Sequence, residues 1–344
     1  MTRRRIALVG LGMAVTPHAK SLVDLKDKAE VVWAMSRSDK RRADFAAKFP
    51  FPVTGDIEAI IADSGISAVG LLTPPNTHLE LVSRLVKSGK HVLLEKPLDI
   101  TTARSEALVA AGEAAGVKIA VCLQHRFKPA AERLAALLAA QELGKIVSCS
   151  TRIPLWRPQT YYDEPGRGAK ARDGGGVLIT QGIHTLDLML SLAGPVEEVC
   201  GFAMTSAVHR METEDLACAA IRYKNGAIGI IEATTAAYPG GAERIDFIGT
   251  KGTASLAGTA LTVAYNDGRR EELAPDASAG GTGADPMAFP HDYHLGVWRD
   301  FLDAIDTNRE PRVSAREALK VHRLVDAVLA AADSDKKVKV AGGA

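Results

Sequence analysis

The segment Gly182 to Asp187, GIHTLD, places a titratable imidazole near a carboxylate. His184 falls in a stretch with the apolar periodicity of a helix, with Thr180 one turn before it and Asp187 three residues after it. An imidazole can accept or donate a proton near neutral pH, and a nearby carboxylate favours its charged form. A lone helical histidine is usually structural, but this one follows the glycine-rich stretch DGGG at 173–176. The segment therefore predicts a general acid or base.

A glycine turn near the start of the chain has the residue types that hold a phosphate. The apolar run Ile6–Val9 leads into Gly10 and Gly12, and a helical pattern follows. In this order the second glycine lets the backbone approach a pyrophosphate, and the helix N-terminus supplies partial positive charge. The third position of the usual fingerprint is Val15, which costs close helix–strand packing but spares the phosphate site. The predicted dinucleotide contacts here are Gly10, Gly12, Met13 and Ala14.

The end of the second apolar run bears on the choice of dinucleotide. An acidic residue at this position would accept hydrogen bonds from the ribose of NAD. This sequence has WAMSRSDKRR, with Ser36 and Arg37 where the acid would stand. A hydroxyl and a guanidinium suit a 2′-phosphate, so NADP is the predicted cofactor and NAD the alternative. The arginines could equally form a solvated face, with Asp39 reaching the ribose.

Two further loops follow apolar runs that are typical of strands. TPPNTH (73–78) follows the run Ala68–Leu72, and LLEKP (93–97) overlaps and follows the next. Ligands of open parallel sheets lie outside the carboxyl ends of the strands, so both loops are predicted to border the cofactor. A lysine in a lone Glu-Lys-Pro motif is by default a surface residue. The predicted cofactor contacts here and after a later strand are Thr73, Pro74, Asn76, His78, Glu95, Lys96 and Gln124.

Regular alternation of strands and helices surrounds these loops up to residue 122. It predicts an α/β domain at 1–122 with a doubly wound parallel sheet and right-handed crossovers. The predicted strands are Ile6–Val9, Val31–Met35, Ala68–Leu72, Val92–Leu94 and Ile119–Cys122. The predicted helices are Ser38–Phe49, Ile57–Asp63, Thr77–Ser88 and Thr101–Ala115.

Hairpin signals dominate the chain from residue 123 onward. Short apolar runs are separated by the turn sequences KNG, TKG and NDG, which predicts an α+β domain at 123–344 with a large, mostly antiparallel open sheet. The predicted strands include Ile146–Ile153, Val196–Thr205, Asp215–Tyr223, Ala227–Thr235, Arg244–Ile248 and Ala260–Tyr265. The predicted helices are Pro129–Ala140, a helix from the DGGG stretch through Ser191, His294–Thr307 and Ala315–Ala331. A mobile loop is predicted at 274–286.

The strand-rich half also predicts self-association. In AIGIIEATTAA (227–237) apolar residues fall on both faces of the predicted sheet. A sheet that is apolar on both faces needs cover, so a homo-oligomer, dimer or tetramer, is expected.

Composition restricts the class of partner. The 344 residues carry a net charge of +1, with 47% hydrophobic and 24% charged residues, which gives no electrostatic reason to expect nucleic acid or a membrane surface. The four cysteines, of which Cys122 and Cys218 are expected to be buried, show no CxxC pair. We therefore expect a reducing, cytoplasmic location and no metal site.

Three motifs in order, the Gly10/Gly12 turn with His18 after it, Glu95-Lys96-Pro97 and GIHTLD, resemble the glucose–fructose oxidoreductase/inositol dehydrogenase (Gfo/Idh/MocA) family. The similarity extends over essentially the whole chain, including RPQTYY (157–162) and DFLDAI near the end. The resemblance implies a Rossmann domain followed by a domain whose open sheet often forms the oligomer interface. It also implies NAD(P)-dependent oxidation or reduction at a secondary alcohol or keto group of sugars, cyclitols or their derivatives.

Carried over by position, the resemblance implies that Lys96 lies near the nicotinamide and the reacting oxygen, and that His184 is the general acid/base. The family commonly has aspartate one turn before this histidine, where this chain has Thr180. Threonine cannot stabilise an imidazolium by charge, which argues against a plain inositol dehydrogenase. The other substrate-facing candidates are Gln124, His125, Arg126, Trp156, Arg157, Tyr161 and His294.

Two alternatives stay open at this point. The same fold can keep its cofactor as a nucleotide-sensing regulator without chemistry, although a sensor has no need of both Lys96 and His184. Reduction of an aromatic dihydrodiol or of an imine would use the same residues.

Overall fold

The computed structural model describes residues 3–276 and 290–342. The chain forms two compact units. The first unit runs to Gln124 and takes up Pro290–Leu319, and the second runs from His125 and takes up the chain from Lys320 onward. The domain boundary after residue 122 stays a prediction. It did not foresee the return of 290–319 to the first unit, because a helical pattern does not say what the helix packs against.

The elements follow one another in the order that the sequence pattern suggested. The strands are β1 (Arg4–Val9), β2 (Ala29–Met35), β3 (Val53–Thr54), β4 (Ala68–Leu71), β5 (His91–Leu94), β6 (Ile119–Val121), β7 (Ile146–Pro154), β8 (Val196–Met204), β9 (Leu216–Tyr223), β10 (Ile228–Thr234), β11 (Arg244–Gly249), β12 (Gly252–Ala257), β13 (Ala260–Tyr265), β14 (Arg270–Leu273) and β15 (Val338–Lys339).

The helices are α1 (Val15–Asp24), α2 (Asp39–Ala46), α3 (Ile57–Ala62), α4 (His78–Lys87), α5 (Thr102–Ala114), α6 (Pro129–Ala139), α7 (Gln159–Tyr162), α8 (Lys170–Asp173), α9 (Val177–Thr180), α10 (Ile183–Ala193), α11 (Asp292–Asp306) and α12 (Ala315–Ser334). Two 3₁₀ turns, Pro75–Thr77 and Gln124–Phe127, follow β4 and β6.

A parallel six-stranded sheet forms the centre of the first unit. Its strand order is β3-β2-β1-β4-β5-β6, and every neighbouring pair is parallel. The strands β4 and β6 are buried along their whole length, as expected for a sheet with helices on both faces. The carboxyl ends of β1, β4 and β5 lead into the glycine turn and the two loops predicted to bind the cofactor. The predicted doubly wound sheet is confirmed.

A nine-stranded sheet forms the second unit. Its order is β14-β13-β12-β11-β7-β10-β9-β8-β15, and β7 with β10 is the parallel pair among otherwise antiparallel neighbours. The helices α6, α9 and α10 pack on one face, and residues alternate between buried and exposed along β9. The large antiparallel sheet is therefore confirmed.

The opposite face of this sheet carries exposed apolar side chains. They are Val147, Phe202, Met204, Ile228, Ile230 and Ile248. Cys200 on β8 and Cys218 on the neighbouring β9 are also exposed. The expectation that Cys218 is buried was wrong, because in a one-sided sheet an apolar neighbourhood in sequence includes residues of both faces. Cys122 and Cys149 are buried.

The stretch from 177 to 191, predicted as one helix, is two helices. The helix α9 ends at Thr180 and α10 begins at Ile183, with Gln181 and Gly182 between them. Thr180 is therefore not one turn before His184 on a continuous helix. Among the described residues no single helix is long and apolar enough to span a membrane. The pair Lys170–Thr180 and Ile183–Ala193, bent by 50°, meets that test of length and composition only when taken together.

Three short strands were not predicted. They are β3, β12 and β14, which are two to six residues long and depend on pairing with a neighbour more than on their own pattern. The predicted mobile loop at 274–286 lies outside the described residues from position 277 onward.

Candidate active site

The turn after β1 leaves open space in front of its second glycine. Gly10 has a φ of +106°, and a Cβ atom there would lie 2.7 Å from the carbonyl carbon and oxygen of Leu72. Only glycine fits that position without strain. A Cβ atom on Gly12 would meet no atom within 4 Å. The protein's own packing therefore does not require glycine at position 12, which is what a position approached by a phosphate group would show.

The helix that follows this turn presents its N-terminus to the same region. Helix α1 starts at Val15; no described side chain caps it, and its first turn holds no acidic residue. Uncapped N–H groups and the helix dipole favour an anion at that end. Val15 is buried and Met13 is exposed, so the helix accommodates valine in place of the third glycine. The turn, with Ala14 at its end, fits the pyrophosphate of a dinucleotide.

At the end of β2, Arg42 is hydrogen-bonded to other described residues, whereas Arg37 is not. Arg42 Nη1 donates to the Ser36 backbone oxygen at 2.6 Å, and Arg42 Nη2 pairs with Asp39. Arg37 is exposed and has no hydrogen bond or ion pair with the described residues. Asp39 is thus engaged by Arg42, while the guanidinium of Arg37 is available to a ligand.

A buried histidine joins the two loops after β4 and β5. His78 Nε2 lies 2.8 Å from the Thr73 oxygen, and its Nδ1 lies 3.1 Å from the oxygens of both Pro97 and Leu98. Burial lowers the pKa of His78, and the hydrogen bonds to these carbonyl groups oppose that shift. This predicted cofactor contact instead has both ring nitrogens turned to the protein. The other predicted contacts of the first loop are Pro74 and Asn76.

A hydrogen-bonded chain leads to the backbone of Lys96. Trp298 Nε1 donates to His18 Nδ1 at 3.0 Å, and because indole is only a donor, the hydrogen of a neutral His18 ring is on Nε2. That nitrogen donates to Glu95 Oε1 at 2.8 Å, and Lys96 N donates to Glu95 Oε2 at 3.1 Å. Burial raises the pKa of Glu95, but the hydrogen bond from His18, with the nearby charge of Lys96, outweighs it and lowers the pKa to about 2. Glu95 is an ionised anchor with 13% of its side chain exposed.

His294 lies in the interior of the first unit, edge-on to His18 with ring centroids 5.0 Å apart. Burial, followed by nearby His18, lowers the pKa of His294 to about 3, so the ring is neutral. His18, Glu95, Cys122 and His294 place metal-type ligand atoms within 4.8 Å of one another. Binding a metal would require breaking the hydrogen bonds of His18, since both its nitrogens are used; that no metal binds stays a prediction.

In the second unit, Asp187 forms a buried ion pair with Arg126. The guanidinium donates to both carboxylate oxygens, at 2.7 Å from Nε and 2.6 Å from Nη2, and both side chains are buried. Asp187 was expected to be a carboxylate neighbour of His184, and Arg126 to face the substrate. In the structure the charges of the two residues neutralise each other. A substrate contact by Arg126 stays a prediction.

His184 is accompanied by a second histidine. The rings of His125 and His184 are tilted by 34° with centroids 5.0 Å apart. His125 Nδ1 lies 3.7 Å from Glu243 Oε2 and 3.4 Å from Thr185 Oγ1. The same Glu243 carboxylate also lies near Lys128, where burial lowers the pKa of the lysine and the charge of Glu243 opposes that shift. A carboxylate therefore reaches the neighbourhood of His184 through His125 rather than from position 180.

Thr180 connects to Tyr161 through one residue. Its hydroxyl oxygen lies 2.6 Å from the Gly176 oxygen and within hydrogen-bond distance of the side-chain oxygen of Gln181, and its single hydrogen is shared between these two acceptors. Gln181 Nε2 in turn donates to the Tyr161 hydroxyl at 3.4 Å, which also accepts from Arg167 Nη1 at 2.9 Å. Tyr161 and Thr180, both predicted to face the substrate, thus belong to one network.

Two family models match the chain. Residues 4–123 match an oxidoreductase family with an NAD-binding Rossmann fold, and residues 131–255 match the GFO/IDH/MocA C-terminal domain. The chain belongs to the Gfo/Idh/MocA oxidoreductase family.

Several named relatives of this family cover most of the chain. The myo-inositol 2-dehydrogenase of Thermotoga maritima is 28% identical over 72% of this chain and 73% of its own. The D-xylose 1-dehydrogenase (NADP(+)) 2 of Haloferax volcanii is 26% identical over 89% of this chain and 90% of its own. The WlbA dehydrogenase of Bordetella pertussis, solved with NADH and UDP-GlcNAcA, is 26% identical with a TM-score of 0.84 and covers 98% of this chain and 99% of its own.

For this Gfo/Idh/MocA chain, the structure adds residues that the sequence did not single out. Trp298 binds His18 across 280 residues of sequence, Glu243 faces His125, and Arg167 binds Tyr161. The partners of the first two contacts are far apart in sequence, and Arg167 lies six residues after Tyr161 without a helical or strand periodicity that would pair them, so no sequence signal pointed to these contacts. Trp156, a predicted substrate contact, packs edge-on against Tyr238 with centroids 5.4 Å apart.

Proposed function

We propose that this protein is an NAD(P)-dependent dehydrogenase or reductase acting on a secondary alcohol or keto group of a sugar, cyclitol or sugar-derived substrate. The observation that carries the proposal is the pair His125–His184 with Glu243 beside it. A cluster of titratable side chains from three separate segments, largely withdrawn from solvent, marks a functional-site candidate. Sugar and cyclitol dehydrogenases among the relatives support the substrate class.

In this proposal His184 moves the hydroxyl proton and Lys96 stabilises the negative charge that develops on the substrate oxygen. His184 must be neutral to accept a proton, so alcohol oxidation slows at low pH. Glu243 favours positive charge on the neighbouring histidines, the contribution that threonine at position 180 cannot make. Bound nicotinamide supplies the hydride-transfer chemistry.

The choice of cofactor is also proposed. The space at Gly12 and the N-terminus of α1 suit the pyrophosphate, and the available guanidinium of Arg37 supports NADP over NAD. The buried Oε1 of Gln124 has no hydrogen-bond partner among the described residues, which suits an amide donor such as the nicotinamide carboxamide. Arg37→Ala should weaken NADPH about tenfold more than NADH in fluorescence titrations, with exposed Arg41→Ala as the matched control. Equal losses for both cofactors would remove the assignment to the 2′-phosphate.

Two further features remain proposals. The exposed apolar face of the nine-stranded sheet supports a homo-oligomer. Four free cysteines support a reducing, cytoplasmic location.

A panel of sugars, cyclitols and nucleotide sugars, followed by nicotinamide absorbance with each cofactor, tests the activity. His184→Ala and Lys96→Met should keep cofactor affinity while turnover falls ~10²–10⁴-fold. Saturable cofactor binding without turnover of any panel member would favour the sensing regulator. Full turnover by His184→Ala would end the proposed mechanism.

A further inference from the structure

A buried guanidinium in the second unit has no counter-charge among the residues that the structure describes. Arg157 is 9% exposed, and its side chain makes one hydrogen bond within the described residues, from Nη1 to the Trp156 oxygen at 2.7 Å. Its Nε is buried and has no acceptor there. The guanidinium carbon lies 5.7 Å from the ring centre of Tyr161, which is a weak cation–π contact. Burying a charge without a partner is costly.

Other buried cations of this protein are given oxygen acceptors. Arg126 has both oxygens of Asp187. Lys90 donates to the backbone oxygens of Asp63 and Ile66, at 2.8 and 3.1 Å. Arg157 has one such oxygen, on Nη1, whereas its Nε and Nη2 have none among the described residues.

The buried carboxylate of Asp215, which is linked to Arg157 through His209, already accepts hydrogen bonds from other groups. Asp215 accepts hydrogen bonds from the backbone nitrogen of Ser206 at 2.6 Å, from its hydroxyl at 2.7 Å, and from His209 Nδ1 at 2.6 Å. His209 Nε2 lies 2.7 Å from the Arg157 backbone oxygen. These contacts hold the backbone of Arg157 and provide no counter-charge for its side chain within the described part of the chain.

The edge of the Arg157 guanidinium without acceptors suits one class of ligand, a carboxylate. Nη1 is occupied, while Nε and Nη2 make no hydrogen bond with the described residues, and these two N–H groups form one side of the planar guanidinium. That side matches the two oxygens of a carboxylate. Arg157 lies against the ring of Tyr161, and the Tyr161 hydroxyl accepts a hydrogen bond from Gln181 in the segment just before His184, so this edge lies in the same unit as the proposed acid/base.

We propose that Arg157 is the anion subsite for the substrate, and that the substrate is a sugar acid bound through its carboxylate. The inference rests on the proposed function for its site, but it makes a separate statement about which members of the sugar class are used. Water at Nε would satisfy the hydrogen bond without neutralising the charge, whereas a carboxylate does both.

The test compares matched acid and neutral sugars: D-glucuronate with D-glucose and D-galacturonate with D-galactose, with D-glucose 6-phosphate as the phosphate arm. The wild-type protein should have at least a tenfold higher kcat/KM for the acids. Arg157→Gln should lower kcat/KM for the acids about 10–100-fold and change the neutral sugars little. Arg157→Lys keeps the buried charge but lacks the planar edge, so it should also lose at least tenfold for the acids if Arg157→Gln does not fold. Exposed Arg269→Gln is the control.

Calorimetric titration of D-glucuronate into the wild type and Arg157→Gln separates this inference from the proposed function. Binding that depends on Arg157, without absorbance change for any substrate, would sustain the anion subsite and reject the dehydrogenase. Equal or better use of the neutral sugars, or acid binding that Arg157→Gln leaves unchanged, would overturn the subsite. An Arg157-dependent preference for the phosphate would overturn the assignment to a carboxylate.

Discussion

Replacing Asp187 by asparagine removes the charge that neutralises Arg126 inside the second unit. The two side chains are 8% and 1% exposed and are joined by two hydrogen bonds of 2.7 and 2.6 Å. Removing one partner of such a buried pair leaves a desolvated charge, which typically costs 3–5 kcal/mol. We therefore expect Asp187→Asn to lower the free energy of unfolding by about 3–5 kcal/mol, measured by urea denaturation at neutral pH.

The chain offers a control with the same bonding geometry and different burial. Arg133 binds both oxygens of Glu271 at 2.6 and 2.7 Å, but these side chains are 45% and 25% exposed. Glu271→Gln should cost below about 1 kcal/mol, because water replaces the lost carboxylate. The double variant Arg126→Met/Asp187→Leu should recover most of the loss, since it removes both charges together.

The competing assignment makes a different prediction. If Asp187 acts on His184, as its spacing in the sequence suggested, Asp187→Asn would keep its stability within about 1 kcal/mol and lose turnover. That combination of results would refute the assignment of Asp187 to Arg126.

Three further outcomes are expected. Burial lowers the pKa of His294 to about 3, so below about pH 6.5 the unfolded chain binds a proton that the folded chain does not, which lowers the free energy of unfolding by about 2 kcal/mol at pH 5. His294→Gln should therefore flatten the loss of stability between pH 6.5 and 4. Urea midpoints that fall in parallel for the variant and the wild type would contradict this. Thr180→Asp should move the acidic limb of the pH–rate profile of oxidation to higher pH and Glu243→Gln to lower pH, because each changes the negative charge near His184; two unshifted profiles would remove both residues from the mechanism. Phe202→Glu on the exposed face should produce monomers in light scattering, and a monomeric wild type would exclude the proposed oligomer.

Sequence patterns predicted the two sheets because each pattern reports burial directly. The strands Ala68–Leu71 and Ile119–Val121 are apolar without interruption and are covered on both faces, while Leu216–Tyr223 alternates and is covered on one. The two-residue strand Val53–Thr54 has no pattern of its own, and its pairing with β2 defines it. Short edge strands are therefore the elements that a sequence cannot specify locally.

The candidate site was predictable in its motifs and not in its partners. His184, Lys96 and the Gly10 turn stand in recognisable local contexts. Glu243 reaches His125 from a segment far away in sequence, and only the folded structure shows that Arg157 has no counter-charge among the described residues. Even Asp187, close to His184 in sequence, belongs to Arg126, because side-chain direction on a helix decides the partner more than residue spacing does.

The return of Pro290–Leu319 to the first unit has a consequence for biosynthesis. Trp298 hydrogen-bonds His18 and, like Phe301, is fully buried, yet it is made only after most of the second unit has left the ribosome. Until then the apolar surface that α11 covers next to α1 is exposed, and Glu95 is held by a histidine whose tautomer Trp298 has not yet fixed. The nucleotide-binding unit thus completes its core late in translation, and a fragment ending at Gln124 would lack part of its own interior.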